Sequence, residues 1–244
     1  MTGTLIAVRD GLRQLGAIDT GLYALKMILE HATRGRVRLV KYHLMAQPVS
    51  IGQLLPEHRG RDILVREAGL DDPLLKQAPG RSSETLQARF EAGAHCLIAE
   101  LDGEFAGFLW LIKGEYAEDE VRCTFRPEPA GASVWDFDVF VSPRHRLSPV
   151  FLKLWETANR RLAADGVKFV CSRISAFNPR SRAAHEQLGA ERVGRVVFVC
   201  VGQWQLKLGG TPPLLHLSLT VSRPLIRVGC EAPKRSSGLF GGHG

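Results

Sequence analysis

The run from Asn178 to Ala190, Asn-Pro-Arg-Ser-Arg-Ala-Ala-His-Glu-Gln-Leu-Gly-Ala, follows directly on the strand-like segment Phe169 to Ile174 and constrains the fold more than any other part of the chain. Asn178 and Pro179 break the extended segment. Ser181 to Leu188 is long enough for about two helical turns, and Gly189 supplies the left-handed residue that ends a helix. A strand end, a polar turn residue and a short helix in so little chain present side chains at a site.

The elements around this run are legible from periodicity. Residues 18 to 33 read as an amphipathic helix with Leu22, Leu25, Ile28 and Leu29 on one stripe. A strand from Val37 to Met45 follows, with imperfect alternation, and Gln47-Pro48 ends it. From Asp62 the order becomes regular: a strand at 63–66, helices at 71–77 and 83–92, and a strand at 95–101. The Asp102-Gly103 turn leads into a strand at 105–112. After a loop come a strand at 134–141, a helix at 150–164, a strand at 167–174, the short helix, and a strand at 195–206. That order mixes a meander with one right-handed parallel crossover. The expected class is α/β, a mixed central sheet flanked by helices. Residues 1–60 read as an N-terminal helix-strand extension, 61–206 as the main domain, and 207–244 as a C-terminal extension whose last ten residues read as disordered.

Five cysteines, at 96, 123, 171, 200 and 230, are too scattered for a disulfide framework or a zinc pattern, so they read as small buried hydrophobes. No metal is expected. No apolar run reaches bilayer length and Met1 to Arg13 lacks a secretory core, so the default is a cytoplasmic protein with no membrane span. The net charge of +7 is unevenly spread: residues 61–143 hold eight basic and sixteen acidic residues, and 144–195 hold eleven and four. A basic C-terminal half suits an anionic ligand, although solvated faces explain it equally. Nucleic-acid binding is disfavoured, because the arginines are not interleaved with aromatics or set in a binding motif.

The spacing of Asn178, Ser181, His185 and Gly189 resembles the last sheet-to-helix crossover of the GCN5-related N-acetyltransferases, with His185 where that family carries Tyr and Ala190 where it carries an aromatic residue. The order of elements over 61–206 is also that family's order. The resemblance implies an acyl-CoA N-acyltransferase fold and direct attack of an amine on an acyl thioester, with acetyl-CoA or another acyl-CoA as co-substrate. It implies cofactor contacts from Val139, Val141, Arg144, Arg146, Ser148, Asn178 and Ser181, and a proton donor to the leaving thiolate at His185. The phosphate loop departs from the family pattern: Pro143-Arg-His-Arg-Leu-Ser-Pro149 has no glycine, and Pro149 removes an amide donor. Arg144, His145 and Arg146 could offset the loss by side-chain charge.

Candidate bases lie on the run Trp135-Asp-Phe-Asp-Val-Phe-Val141. Regular alternation would set Trp135, Phe137, Val139 and Val141 on one face and Asp136, Asp138 and Phe140 on the other. Two carboxylates on one face of a central strand need work or partners. Asp138 is the first choice as base and Asp136 the second; ion pairs with arginines such as Arg122 or Arg173 explain them equally. Glu118, Asp119 and Glu120 would line the acceptor side and attract a cationic amine, or form an exposed acidic turn. The acceptor, small molecule or peptide, is unspecified, and a homodimer stays open. The rival to an enzyme is a degenerate member of the fold that binds a metabolite or protein without turnover, favoured by the glycine-less loop.

Overall fold

The computed structural model describes residues 15 to 229; the expectations for Met1 to Arg13 and for the last ten residues lie outside them. Helix α1 (Ala17–Ala32) leads into β1 (Val37–Pro48), followed by β2 (Ile63–Ala68), α2 (Pro73–Lys76), α3 (Ser83–Glu91), β3 (His95–Leu101) and β4 (Glu104–Lys113). Next come β5 (Tyr116–Ala117), β6 (Thr124–Glu128), β7 (Ser133–Val141), α4 (Val150–Ala164), β8 (Phe169–Ser175) and α5 (Pro179–Glu186). The chain continues through β9 (Glu191–Val201), β10 (Trp204–Gly209), β11 (Leu215–Ser218) and β12 (Leu225–Gly229). A nine-stranded sheet runs β11-β10-β9-β1-β8-β7-β4-β3-β2, and β12-β6-β5 form a small second sheet. Among the described residues, β7 and β8 are the one parallel pair in the large sheet, joined through the α4 crossover. This is the mixed sheet flanked by helices that the sequence implied.

The two expected extensions are instead built into the sheets. β1 runs antiparallel between β8 and β9 at the centre of the large sheet, and its imperfect alternation is that of a strand buried on both faces. Val40, Tyr42 and Leu44 enter the core on one side, whereas Lys41, His43 and Met45 face the other, where Asp19 of α1 pairs with Lys41. β10 and β11 extend the sheet edge, and β12 pairs in parallel with β6.

Two cores sandwich the sheet. Trp110, Phe108, Phe125, Trp135 and Phe198 pack with α2, α3 and the small sheet. On the opposite face Leu109, Val134 and Leu97 pack beneath Val150, Leu154, Trp155, Ala158 and Leu162, the apolar stripe of α4. Cys96, Cys123 and Cys200 are free and buried as expected. Cys171 is disulfide-bonded, which corrects its reading as a buried thiol; Cys230 lies outside the described residues.

Regular alternation fails in β7. Trp110 of β4 stands opposite Asp138 while the next residue, Leu111, stands opposite Asp136, so Phe137 is an extra residue in the ladder, a β-bulge. Before the bulge Trp135 faces the α3 side and Val134 the α4 side; beyond it Phe140 faces α3, and Val139 and Val141 face α4. The expected single face carrying Asp136 and Asp138 therefore does not exist. Asp136 turns towards α5 and Asp138 towards α3.

Candidate functional site

The parallel pairing of β7 with β8 runs from Ser133↔Phe169 to Asp136↔Ser172 and goes no further, although both strands continue. The strands part there and open a cleft of about 190 Å³. Asp136, Phe137, Asp138 and Val139 line it from β7, Ser172 to Ser175 from β8, and Asn178, Ser181 and His185 from α5 and its cap. The structure thus gathers both candidate aspartates, His185, Val139, Asn178 and Ser181 at one opening. Val141, Arg144, Arg146 and Ser148 are not among its lining residues.

Helix α5 is held by its own sequence. Asn178 caps it, accepting a hydrogen bond from the Ser181 amide at 3.1 Å, and Pro179 fills the first turn, where no amide partner is needed. Gly189 at φ 83° closes it, and the Ala190 amide bonds back to the His185 carbonyl. The oxygen of Asn178 is therefore used locally even though the residue lines the cleft.

His185 is 3% exposed and lies edge-on to Phe151 and Trp155. Its Nδ1 donates to the Ser181 carbonyl at 2.8 Å, and its Nε2 lies 3.2 Å from Oδ2 of Asp136, itself 4% exposed. Both ring nitrogens face acceptors, so the pair holds a proton between Nε2 and the carboxylate. Burial alone would lower the pKa of the imidazole, but the Asp136 hydrogen bond and charge prevail and raise it.

Asp138 is held by different arginines from those expected. Arg122 bonds the carbonyls of Gln203 and Ser218, and Arg173 pairs with Glu118. Oδ2 of Asp138 instead accepts from Nε and Nη2 of Arg81, at 2.9 and 2.6 Å, and from Nη1 of Arg89 at 2.8 Å. Neither arginine was singled out in the sequence. The available signal was Arg89 at the border of the Leu86–Phe90 stripe of α3, a cation placed to meet an acid on the sheet beneath.

From Asp138 and Arg173 the cleft continues on the α3 side into a trough formed by adjoining cavities of about 430 and 720 Å³. Its floor is Phe137 stacked on Tyr116, with centroids 4.6 Å apart, and Arg89 lies 5.0 Å over the Phe137 ring. Of the expected acidic group, only Asp119 lines this trough, accepting from the Tyr116 hydroxyl at 3.3 Å. Glu118 is neither an amine attractor nor exposed: it is 1% exposed, and Nε and Nη2 of Arg173 grip both its oxygens at 2.8 Å. Glu120 takes the Tyr42 hydroxyl. Burial first, then the Glu118 charge, pushes the Tyr42 and Tyr116 hydroxyls up, so both are neutral donors.

The segment between β7 and α4 is where the resemblance in sequence would set a coenzyme's phosphates. Pro143 to His145 forms a tight 3₁₀ turn. The His145 and Ser148 amides bond the Ser142 and His145 carbonyls, and Val150 N reaches the Ser148 hydroxyl at 3.4 Å. Leu147 is fully exposed and Arg144 lies 3.5 Å from Glu104. The His145, Ser148 and Val150 amides are spent inside the loop, and Pro143 and Pro149 have none to give, which leaves fewer donors for a backbone pyrophosphate nest. The cleft between β7 and β8, where the two strands no longer pair beyond Asp136↔Ser172, is the place open to an extended chain. A separate cavity of about 290 Å³ under the end of α4 is apolar, and its rim charges pair with one another, Glu67 with His95 and Arg161, Lys113 with Asp165. Among the described residues no group of three or more His, Cys, Asp or Glu is placed to hold a metal ion, and no helix is long and apolar enough to cross a membrane.

No family model and no curated protein matches the chain. Among solved structures it is similar to a functionally unknown conserved protein from Staphylococcus epidermidis, at 10% identity and a TM-score of 0.49, covering 72% of this chain and 67% of that one. It is also similar to a putative acetyltransferase of the GNAT family from Novosphingobium aromaticivorans, at 17% identity and a TM-score of 0.46, covering 66% of this chain and 63% of that one. An aminoglycoside N-acetyltransferase in complex with CoA gives 26% identity and a TM-score of 0.40, over 57% of this chain and 95% of that one. At that distance the activity has to be argued from the site.

Proposed function

We propose that the chain is a divergent acyltransferase of the GCN5-related type, which moves an acyl group from a pantetheine thioester, acetyl-CoA by default, to an amine. The observation that carries the reading is the parting of β7 from β8 beyond Asp136↔Ser172, which opens a cleft lined by Asp138 on one side and by Asn178, Ser181 and His185 on the other. A coenzyme A thioester bound there supplies the activated carbonyl. The chain's own residues do the rest: Val139 and Ser181 flank the arm, and Asp138, at the junction of cleft and trough, draws off the amine proton directly or through water. The Asp136–His185 pair, which holds a proton at the cleft wall, is the acid for the departing thiolate. Arg144 and Arg146 would meet the phosphates with side-chain charge in place of a backbone nest.

The test is a thermal-shift titration with acetyl-CoA and CoA, followed by Asp138→Asn. The variant should lose about 10²–10⁴-fold in kcat and keep its affinity for CoA. No stabilisation at millimolar CoA refutes the enzyme reading, and a parallel loss of CoA binding refutes the role of Asp138. The engaged amides of Ser142, His145, Ser148 and Val150 favour a second reading, a binding protein of the same fold. It predicts a ligand that stabilises the protein without turnover.

A further inference from the structure

We infer that the trough on the α3 side is built for an α-amino acid, its carboxylate on Arg89 and its amine beside Asp138. This rests on the acyltransferase reading only for the direction of transfer; the binding chemistry stands on the trough itself. Arg89 has five N–H donors, and among the described residues one of its nitrogens, Nη1, is hydrogen-bonded, to Asp138. Arg89 lines both trough cavities, and its guanidinium carbon stands 5.0 Å from the centre of the Phe137 ring and 5.1 Å from that of Trp110. The two rings and the Asp138 bond hold the guanidinium from three sides, and its planar fork matches a carboxylate.

The three hydrogen bonds to Asp138 all land on Oδ2. The adjacent Arg89 cation and Asp138 anion mirror, sign for sign, an ammonium and a carboxylate one carbon apart. The stacked Phe137 and Tyr116 rings form an apolar floor beside them, which suits an apolar or aromatic side chain. Arg81, Arg89 and Arg173 line the inner cavity with Asp119 and Asp138, whereas Glu84 and Glu115 stand only at the outer one, so the cation that a carboxylate needs lies at the inner end of the trough. At the junction the amine would attack the thioester carbonyl. The ammonium first gives one proton to water through Asp138. The C–N bond then forms, the C–S bond breaks, and the nitrogen's second proton passes to Asp138 and on to water. The thiolate takes the proton held by the Asp136–His185 pair, which water restores, and leaves as CoA.

Binding to the protein without thioester, followed by calorimetry, separates this inference from turnover. The probes are L-phenylalanine, phenethylamine, which lacks the carboxylate, and the aminoglycoside kanamycin. L-Phenylalanine should bind saturably at millimolar concentration or below. Phenethylamine should bind about tenfold more weakly or worse, the size of one lost charge-assisted pair. Arg89→Gln should erase that difference, and Arg89→Lys, which keeps the charge without the fork, should reduce it. The inference is overturned if L-phenylalanine does not bind, if phenethylamine or kanamycin binds as tightly, or if both variants keep the wild-type preference. Amino-acid binding without acyl transfer would sink the enzyme reading and leave this one standing; acyl transfer to amines without a carboxylate preference would do the reverse.

Discussion

Replacing Glu118 tests the electrostatics beneath the site. The Glu118 side chain is fully buried and bonded through both oxygens to Arg173, whose side chain is 24% exposed. Removing one partner of a buried pair costs about 3–5 kcal/mol, because the remaining charge is stranded. Arg173 keeps some contact with water and lies 5.0 Å over the Tyr42 ring, a cation–π contact worth roughly 0.5–1 kcal/mol. Glu118→Ala should therefore fall near the lower end, about 3 kcal/mol. For a domain of this size that is a fall in Tm of about 6–12 °C. The assay is urea and thermal unfolding with the Cys171 disulfide intact, for Glu118→Ala, Arg173→Met and the double variant. The double variant should recover about 2–3 kcal/mol relative to the sum of the singles. Asp165→Ala, which breaks the exposed Lys113–Asp165 pair, should cost no more than about 1 kcal/mol and serves as the control. A Glu118→Ala loss as small as the control's, or strict additivity of the two singles, would refute the reasoning.

Gly107→Ala should destabilise by about 1–3 kcal/mol in urea unfolding, because a Cβ there would stand 2.5 Å from the Phe140 carbonyl and 3.3 Å from Val150 Cγ1; a neutral result would mean that β4 and β7 are less closely apposed than described. The pKa of His185 is raised above its ordinary 6.5 on folding. Its contribution to stability is therefore complete below about pH 6.5 and is lost as pH climbs through the higher folded value. The difference in unfolding free energy between wild type and His185→Gln should shrink with rising pH above 6.5, and a difference that grows would contradict the proton-sharing pair.

What the sequence showed of the fold was what local chemistry controls. The Asp102-Gly103 turn, at φ 54° and 79°, joins β3 to β4 as its residue types require. The short helix after Asn178 carries the cap, proline and glycine that its sequence advertises. What it could not show depends on residues far apart in the chain. The bulge at Phe137 is a mismatch of register with β4 and leaves no mark in β7's own sequence, so strict alternation sent Asp136 and Asp138 to the same face. The partners of Asp138 come from α3 and the turn before it, about fifty residues upstream, and those of Glu118 from β8. The cleft residues were legible because the crossover that carries them is local. The trough was not, since its walls meet only when the sheet is assembled.

The central place of β1 bears on how the protein reaches this state. Its neighbours β8 and β9 lie more than a hundred residues later, so the middle of the sheet closes by some of the longest-range pairings in the molecule. Such pairings carry the loop-closure entropy that slows folding. On the ribosome β1, the earliest strand among the described residues, must wait, rich in apolar side chains, until β8 and β9 emerge more than a hundred residues later. A piece cut at residues 61 to 206 would expose the edges of β8 and β9 that β1 normally fills, and open edges of that kind invite association with other chains.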